Sequence, residues 1–181
     1  MTSSLGIVFI VYNQTKLLNS SLKLLSGLKH ELHVADLGST EDVGSVAKTW
    51  GANYHRLSYT SVVETVRSQV FDLIKTDYIL YLDGDESVTP SLINKLAELA
   101  DGGVDYVKIP RQNYIFNSWV QASRWWPDYQ VRFFKKGMVT FPTTLHSEPV
   151  VTGREVVLPA TPDLAIKHLN YQNLDEWLQK N

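Results

Sequence analysis

The sequence predicts an α/β fold, a three-layer α/β/α arrangement around a mainly parallel mixed sheet, with a β-rich second half. Three observations predict it. Apolar runs of strand length recur at Leu5 to Tyr12, Glu31 to Asp36 and Tyr78 to Asp83. Each precedes a helical pattern. Beyond Asp101-Gly102-Gly103 the helical spacing gives way to short strand-like segments separated by turn residues.

The first run, Leu5-Gly-Ile-Val-Phe-Ile-Val-Tyr12, is apolar almost throughout and stops at Asn13-Gln14. Leu17, Leu18, Leu22, Leu25 and Leu28 then fall on one helical face, with Asn13 placed to cap the helix. The second run ends in Asp36-Leu37-Gly38-Ser39-Thr40, where Ser39 with Asp42 makes a weak capping box. A stronger one, Ser61 with Glu64, opens a helix whose apolar face carries Val62, Val63, Val66, Val70, Leu73 and Ile74. The third run, Tyr78-Ile-Leu-Tyr-Leu82, halts at Asp83-Gly84-Asp85-Glu86. Strand alternating with helix implies right-handed crossovers and helices on both faces of the sheet.

In the second half, Tyr106 to Ile109, Val131 to Phe134, Val139 to Phe141 and Val150 to Leu158 read as strands, with turns at Lys136-Gly137 and Thr152-Gly153. Residues 1–181 are expected to form one domain: residues 1–100 a nucleotide-type α/β half, residues 101–181 a β-rich, aromatic-rich half that would complete the pocket. Asn173 to Lys180 begins an amphipathic helix that stops after about two turns, short for an isolated helix. Either a truncated domain or the catalytic module of a larger protein is expected, in which a further C-terminal part would carry membrane or acceptor contacts.

Composition narrows the function. A net charge of −2 gives no reason to expect nucleic acid or an anionic membrane as main partner. With no cysteine, disulfides and thiolate chemistry are excluded. The longest apolar run is far shorter than the ~20 residues of a membrane span, and Met1-Thr-Ser-Ser lacks the charged start of a signal peptide. A cytoplasmic protein is expected.

In open α/β sheets ligands bind outside the carboxyl ends of the strands. Tyr12, Asn13, Asp36, Asp83 and Asp85 all lie at such ends. Two carboxylates on either side of a glycine suit a divalent cation that holds a phosphate, because Mg²⁺ takes one or two carboxylates and fills its shell with phosphate oxygens and water. Gly84 lets that turn close without a side chain in the way. The plain alternative is an ordinary Asp-Gly turn with Glu86-Ser87 as its solvated exit.

Taken in order, Ile7 to Asn13, Ala35 to Asp42, Arg67 and Tyr81 to Glu86 resemble the signature of family 2 glycosyltransferases with the GT-A fold. Trp126 to Phe134, His146-Ser-Glu148 and Ile166 to Tyr171 are similar to a bacterial branch that decorates lipopolysaccharide cores and other cell-surface glycans. The resemblance covers residues 5–178. It implies a nucleotide diphosphate sugar donor, most commonly a UDP-sugar, and inverting transfer to a glycan or lipid-linked saccharide. Tyr12 and Asn13 would border base and ribose, Asp36 would hydrogen-bond the base, and Arg67 would lie near the diphosphate. Asp83 and Asp85 match the family's Asp-x-Asp element, which reaches ribose and Mg²⁺ or Mn²⁺. Val11 and the pair Asp36-Leu37 depart from the family's common residues.

An inverting enzyme needs a proton acceptor across the cleft. Asp128 and Glu148 are the two candidates, Asp128 favoured. Arg132 could fork onto diphosphate oxygens or form an exterior salt bridge. His146 and His168 could ligate the metal or be structural. Trp125, Trp126 and Gln130 could meet the acceptor, although Trp119, Trp125 and Trp126 also suit a core. Two other classes fit the third strand end: a haloacid-dehalogenase-type phosphatase with Asp83 as nucleophile, and a non-catalytic nucleotide-sugar-binding domain.

Overall fold

The structure, a computed structural model, describes residues 2–60, 63–142 and 149–171. Its centre is the parallel set β1 (Leu5–Val11), β2 (Glu31–Asp36), β3 (Asn53–Arg56) and β4 (Tyr78–Asp83). β1 lies between β2 and β4, so the crevice outside its C-terminal end is a topological switch point. The sheet continues from β4 through β8 (Asp128–Lys135), β6 (Tyr106–Ile115) and β12 (Ile166–Tyr171) to the two-residue β5 (Glu86–Ser87). β8 runs antiparallel to both neighbours, which makes the sheet mixed.

All of β1 is buried, as its unbroken apolar run requires of a strand covered on both faces. Ile7, Phe9 and Val11 pack with α1 (Thr15–Leu25), α2 (Val43–Thr49) and α4 (Pro90–Asp101); Val8 and Ile10 pack with α3 (Glu64–Leu73) on the other face. This is the expected three-layer order. Thr89 caps α4 through a 3.0 Å bond from Leu92 N, with Pro90 at the first turn where its missing N–H is harmless.

The helix starts differ from the sequence reading. Asn13 does not cap α1; its Oδ1 accepts from Thr40 N at 2.8 Å, Thr40 Oγ1 and Glu41 N, while Glu41 Oε2 accepts from Thr15 N at 2.9 Å. Two strand-end loops thus cap each other. Asp42, not Ser39, caps α2, accepting from Ser45 N at 3.0 Å. Ser61 lies outside the described residues, so its capping box does too, and so does the helix expected at Asn173 to Lys180.

In the second half β6 extends past Ile109 to Ile115, with Pro110 at the point where its parallel partner changes. β11 (Glu155–Val157) pairs with Tyr106 to Lys108, and β12 with Arg111 onward. A residue without N–H fits that break. The strand expected over Val150 to Leu158 is split at the turn Thr152-Gly153 into β10 (Val150–Val151) and β11; β10 pairs with β9 (Val139–Thr140). Between β6 and β8 the register slips: Val107 faces Phe133 and Lys108 faces Val131. Arg132 is the extra residue of that bulge, and bulges re-aim side chains.

Candidate active site

A cleft of about 400 Å³ opens at the C-terminal ends of β1 and β4, lined by Val11, Tyr12, Gln14, Asp83, Gly84 and Asp85 with Arg111 and His168. Tyr12 is 41% exposed and packs on Tyr59 at 4.8 Å between centroids, a surface aromatic pair at the cleft edge. At Gly84 the Gln14 and Val11 side chains approach the backbone closely. A Cβ there would stand 2.0 Å from Gln14 Oε1 and 3.1 Å from Val11 Cγ1.

Behind the cleft, charged side chains form a continuous network. Arg132 Nη2 donates to Asp83 Oδ2 at 2.6 Å and to Glu86 Oε1 at 2.9 Å, with its guanidinium 4.4 Å above the Tyr81 ring. Glu86 Oε2 accepts from Asp83 N at 3.0 Å, so this carboxylate ties the turn to its own strand. Arg111 bridges Glu86 at 3.2 Å and Asp128 at 2.7 Å. Asn113 Nδ2 donates to Asp128 Oδ2 at 2.9 Å, and Asn113 Oδ1 lies 2.7 Å from His168 Nδ1. His168 Nε2 then faces Asp85 Oδ1 at 3.6 Å. Register explains the ring: Arg111 pairs with Asp128, Asn113 with His168, and His168 with Glu86 across adjacent strands.

The charges set each other's protonation. Burial pushes the Asp83 carboxyl up, but the charges of Arg132 and Arg67 outweigh it and hold the pKa below its ordinary value. Burial opposes the charge on Arg132, yet Asp83 and Glu86 keep the guanidinium firmly protonated. For Asp128, burial is likewise outweighed, by the Asn113 hydrogen bond and the Arg111 charge, and its pKa is lowered. Gln130 Nε2 donates to Asp128 Oδ1 at 2.7 Å, which adds to the effect.

Asp36 sits at its strand end as read, but is fully buried and engaged on both oxygens. Oδ1 accepts from Ser39 N at 2.8 Å; Oδ2 accepts from Tyr54 Oη at 2.6 Å and Arg56 Nη1 at 3.1 Å. Burial is again outweighed, by these hydrogen bonds and then the Arg56 charge, so the carboxyl stays ionised.

Several sequence expectations change. Glu86 is no solvated turn exit but is 1% exposed, the hub of the network. Arg132 is a buried partner of Asp83 and Glu86, not an exterior salt bridge. Arg67 and Arg132 line a second cavity on the α3 face, and Gln130 also reaches it. Trp126 meets Trp119 edge-on at 5.0 Å, and Trp125 O accepts from Asn113 Nδ2. His146 and Glu148 lie outside the described residues. Arg111, Asn113, Tyr54 and Arg56 were not singled out, and Ser39 only as a helix cap; the one signal was the alternate spacing of Arg111 and Asn113, which puts them on one face once the strand runs past Ile109.

Among the described residues no three carboxylate or imidazole groups form a ready cage for a metal ion. The donor set still fits Mg²⁺ or Mn²⁺, which take few protein carboxylates when phosphate oxygens complete the shell. Asp85 and Asp83 present hard oxygens to the cleft. Because Asn113 Nδ2 faces the two acceptors, its Oδ1 accepts the proton of His168 Nδ1, and the ring presents Nε2 toward Asp85.

The structure is similar to that of Staphylococcus aureus TarS residues 1–349, with TM-score 0.66 and 13% identity over 91% of this chain and 60% of that one. It is also similar to the mannosyltransferase PcManGT from Pyrobaculum calidifontis, solved with GDP-Man and Mn²⁺, with TM-score 0.64 and 14% identity over 93% of this chain and 57% of that one. The chain thus spans less than two thirds of either relative. The likeness establishes the GT-A fold. Residues 6–152 match the family model described as glycosyl transferase family 2. With that match across most of its length and the GT-A sheet beneath it, the chain belongs to glycosyltransferase family 2.

Proposed function

We propose that this chain is the donor-binding and catalytic domain of a metal-dependent inverting glycosyltransferase, which moves a sugar from a nucleotide diphosphate, preferably UDP, to a hydroxyl of a glycan or lipid-linked saccharide. The observation that carries the reading is the turn Asp83-Gly84-Asp85 at the switch-point cleft, with His168 Nε2 turned toward Asp85 by Asn113.

Tyr12 and Asn13 border the nucleoside. Asp36 acts by positioning Tyr54 and Arg56 beside it, since its own oxygens are engaged. Asp85, Asp83 and His168 hold the cation, which when bound supplies charge stabilisation to the departing diphosphate. Arg132 and Arg67 add positive field from the α3 face. The acceptor hydroxyl passes its proton to a carboxylate, Asp128 among the described residues, with Trp125, Trp126 and Gln130 shaping the approach. Three donors hold Asp128 as an anion, and one of them must yield when the acceptor hydroxyl arrives.

The deciding experiment is calorimetric titration with UDP, GDP, TDP and ADP, with and without Mn²⁺, for the wild type and Asp85→Ala. One nucleotide binding only with metal, and lost in the variant, is the expected result. Metal-independent binding, or binding untouched by Asp85→Ala, would remove the cation from the mechanism.

A further inference from the structure

Asp128 opens β8 directly opposite Arg111 of β6, and Gln130 and Asn113 follow two residues further along their strands. The two oxygens of this carboxylate are not equivalent. Oδ2 accepts from Arg111 Nε at 2.9 Å and from Asn113 Nδ2 at 2.9 Å, with Arg111 Nη2 at 2.7 Å. A carboxylate oxygen offers two lone pairs, so three donors leave Oδ2 without capacity. Among the described residues Oδ1 accepts from Gln130 Nε2 alone, at 2.7 Å.

Arg111 is shared between two anions. Its Nη1 reaches Glu86 Oε1 at 3.2 Å, and the same guanidinium forks onto Asp128. It also lines the cleft beside Asp83 and Asp85, which places Asp128 one side chain behind the carboxylate turn. Among the described residues Arg111 of β6 is the charged group that faces Asp128; Asn113 and Gln130 are neutral, and Glu86 of β5 stands behind Arg111. Protonating one member of an isolated, poorly solvated ion pair leaves its cation without a counter-ion, which is costly. Arg111, with its side chain 19% exposed, keeps Glu86 when Asp128 is neutralised.

We propose that Arg111 is a positioning residue for the transfer step, acting through Asp128: with Asn113 it fixes Oδ2, and so assigns Oδ1 as the atom that takes the acceptor proton. The proposal rests on the reading of Asp128 as proton acceptor given above. In that step the acceptor oxygen bonds to the anomeric carbon, and the bond from that carbon to the diphosphate oxygen breaks with its electron pair going to the diphosphate. The hydroxyl proton moves to Oδ1. Gln130 is the donor that yields, being neutral, half-buried and alone on that oxygen. Arg111 and Asn113 stay in place, so the carboxylate does not turn as it is protonated. Burial raises the Asp128 pKa, but the Asn113 hydrogen bond and the Arg111 charge outweigh it, in keeping with an anion held ready by this pair.

The test joins two readouts. Protein labelled with ¹³C at the aspartate carboxyl is titrated by NMR without metal from about pH 8 to about pH 4, the Asp128 signal being assigned by its absence in Asp128→Asn. In the wild type that signal should remain a carboxylate's, whereas in Arg111→Gln its midpoint should rise by about one to three units, into the window. Hydrolysis of UDP-glucose and of GDP-mannose with Mn²⁺, in which water takes the acceptor's place, should show its acid limb moved up by the same amount. Gln130→Leu should keep hydrolysis, with a smaller rise, because Arg111 and Asn113 still hold Oδ2. Arg111→Lys gives a second variant if Arg111→Gln does not fold; it keeps the charge but not the fork, so its rise should be smaller but present. An unmoved midpoint in the folded Arg111 variant, with hydrolysis lost in Asp128→Asn, would overturn the role of Arg111 and leave Asp128 as proton acceptor. Hydrolysis abolished by Gln130→Leu would overturn the assignment of Oδ1. Full hydrolysis in Asp128→Asn, or a raised midpoint without a moved limb, would remove Asp128 as proton acceptor and this proposal with it.

Discussion

Arg132 donates from Nη2 to Asp83 Oδ2 at 2.6 Å from within the sheet, so the first carboxylate of the Asp83-Gly84-Asp85 turn is anchored before any cation arrives. The same nitrogen reaches Glu86, which is 1% exposed and also paired with Arg111. A cation shared by two carboxylates fixes the turn more tightly than a pair on the surface would.

Arg132→Met is therefore expected to destabilise the fold by about 3 kcal/mol, because a buried carboxylate loses one of its two cationic partners. Urea unfolding measures it. A loss under ~1 kcal/mol would mean that Arg111 alone suffices for Glu86.

Asn113→Ala removes the group that fixes the His168 tautomer. Outer-shell partners of this kind typically change metal affinity by about 10- to 100-fold. Mn²⁺ titration followed by electron paramagnetic resonance, with nucleoside diphosphate present, should show a loss in that range, and His168→Ala a loss at least as large. Equal affinity in wild type and both variants would leave His168 a structural residue.

Asp128→Asn preserves the shape of the site and removes a proton acceptor. Donor binding is expected to survive, while transfer falls by about 10²-fold or more. Unchanged turnover would move the proton to Glu148.

Gly6→Ala tests the core beneath β1. A Cβ there would stand 2.6 Å from Ile74 Cγ2 and 2.7 Å from Thr76 Oγ1, both from the chain that leads into β4. Overpacking of this kind costs about 1–3 kcal/mol, visible as a lower Tm with nucleotide affinity unchanged at temperatures where the protein stays folded.

Acidification should weaken the fold in two stages. Burial holds His30, His33 and His55 below the ordinary histidine pKa, so the unfolded chain takes up these protons first and stability falls as pH drops through about 6.5. Asp36, Asp83 and Asp128 have lowered pKa values in the fold, and their contribution persists until pH falls below about 4, then is lost. Tm measured from pH 8 to 3 checks both stages. In His55→Phe the first should shrink; a flat profile between pH 7 and 5 would contradict the histidine stage.

β1, β2 and β4 were legible because they are almost entirely buried, which demands a largely apolar run, and each ends where polar residues meet the cleft. β3 was missed for the opposite reason: Asn53–Arg56 is a largely exposed edge strand with no apolar pattern to betray it. Asp83, Gly84 and Asp85 were readable from spacing alone. Glu86 was not, because a charged residue after a turn looks solvated unless the arginines that bury it are known, and Arg111 and Arg132 come from strands 25 and 46 residues away.

The sequence by itself determined the layer order, the strand ends that form the cleft and the carboxylate turn within it, because these follow from local periodicity and composition. Tertiary structure decided which charges are neutralised. The bulge at Arg132 turns a strand residue into the anchor of Asp83, and cross-strand register brings Arg111 to Asp128 and Asn113 to His168. Such pairings depend on register between segments distant in the chain, and a one-residue slip would undo every one of them.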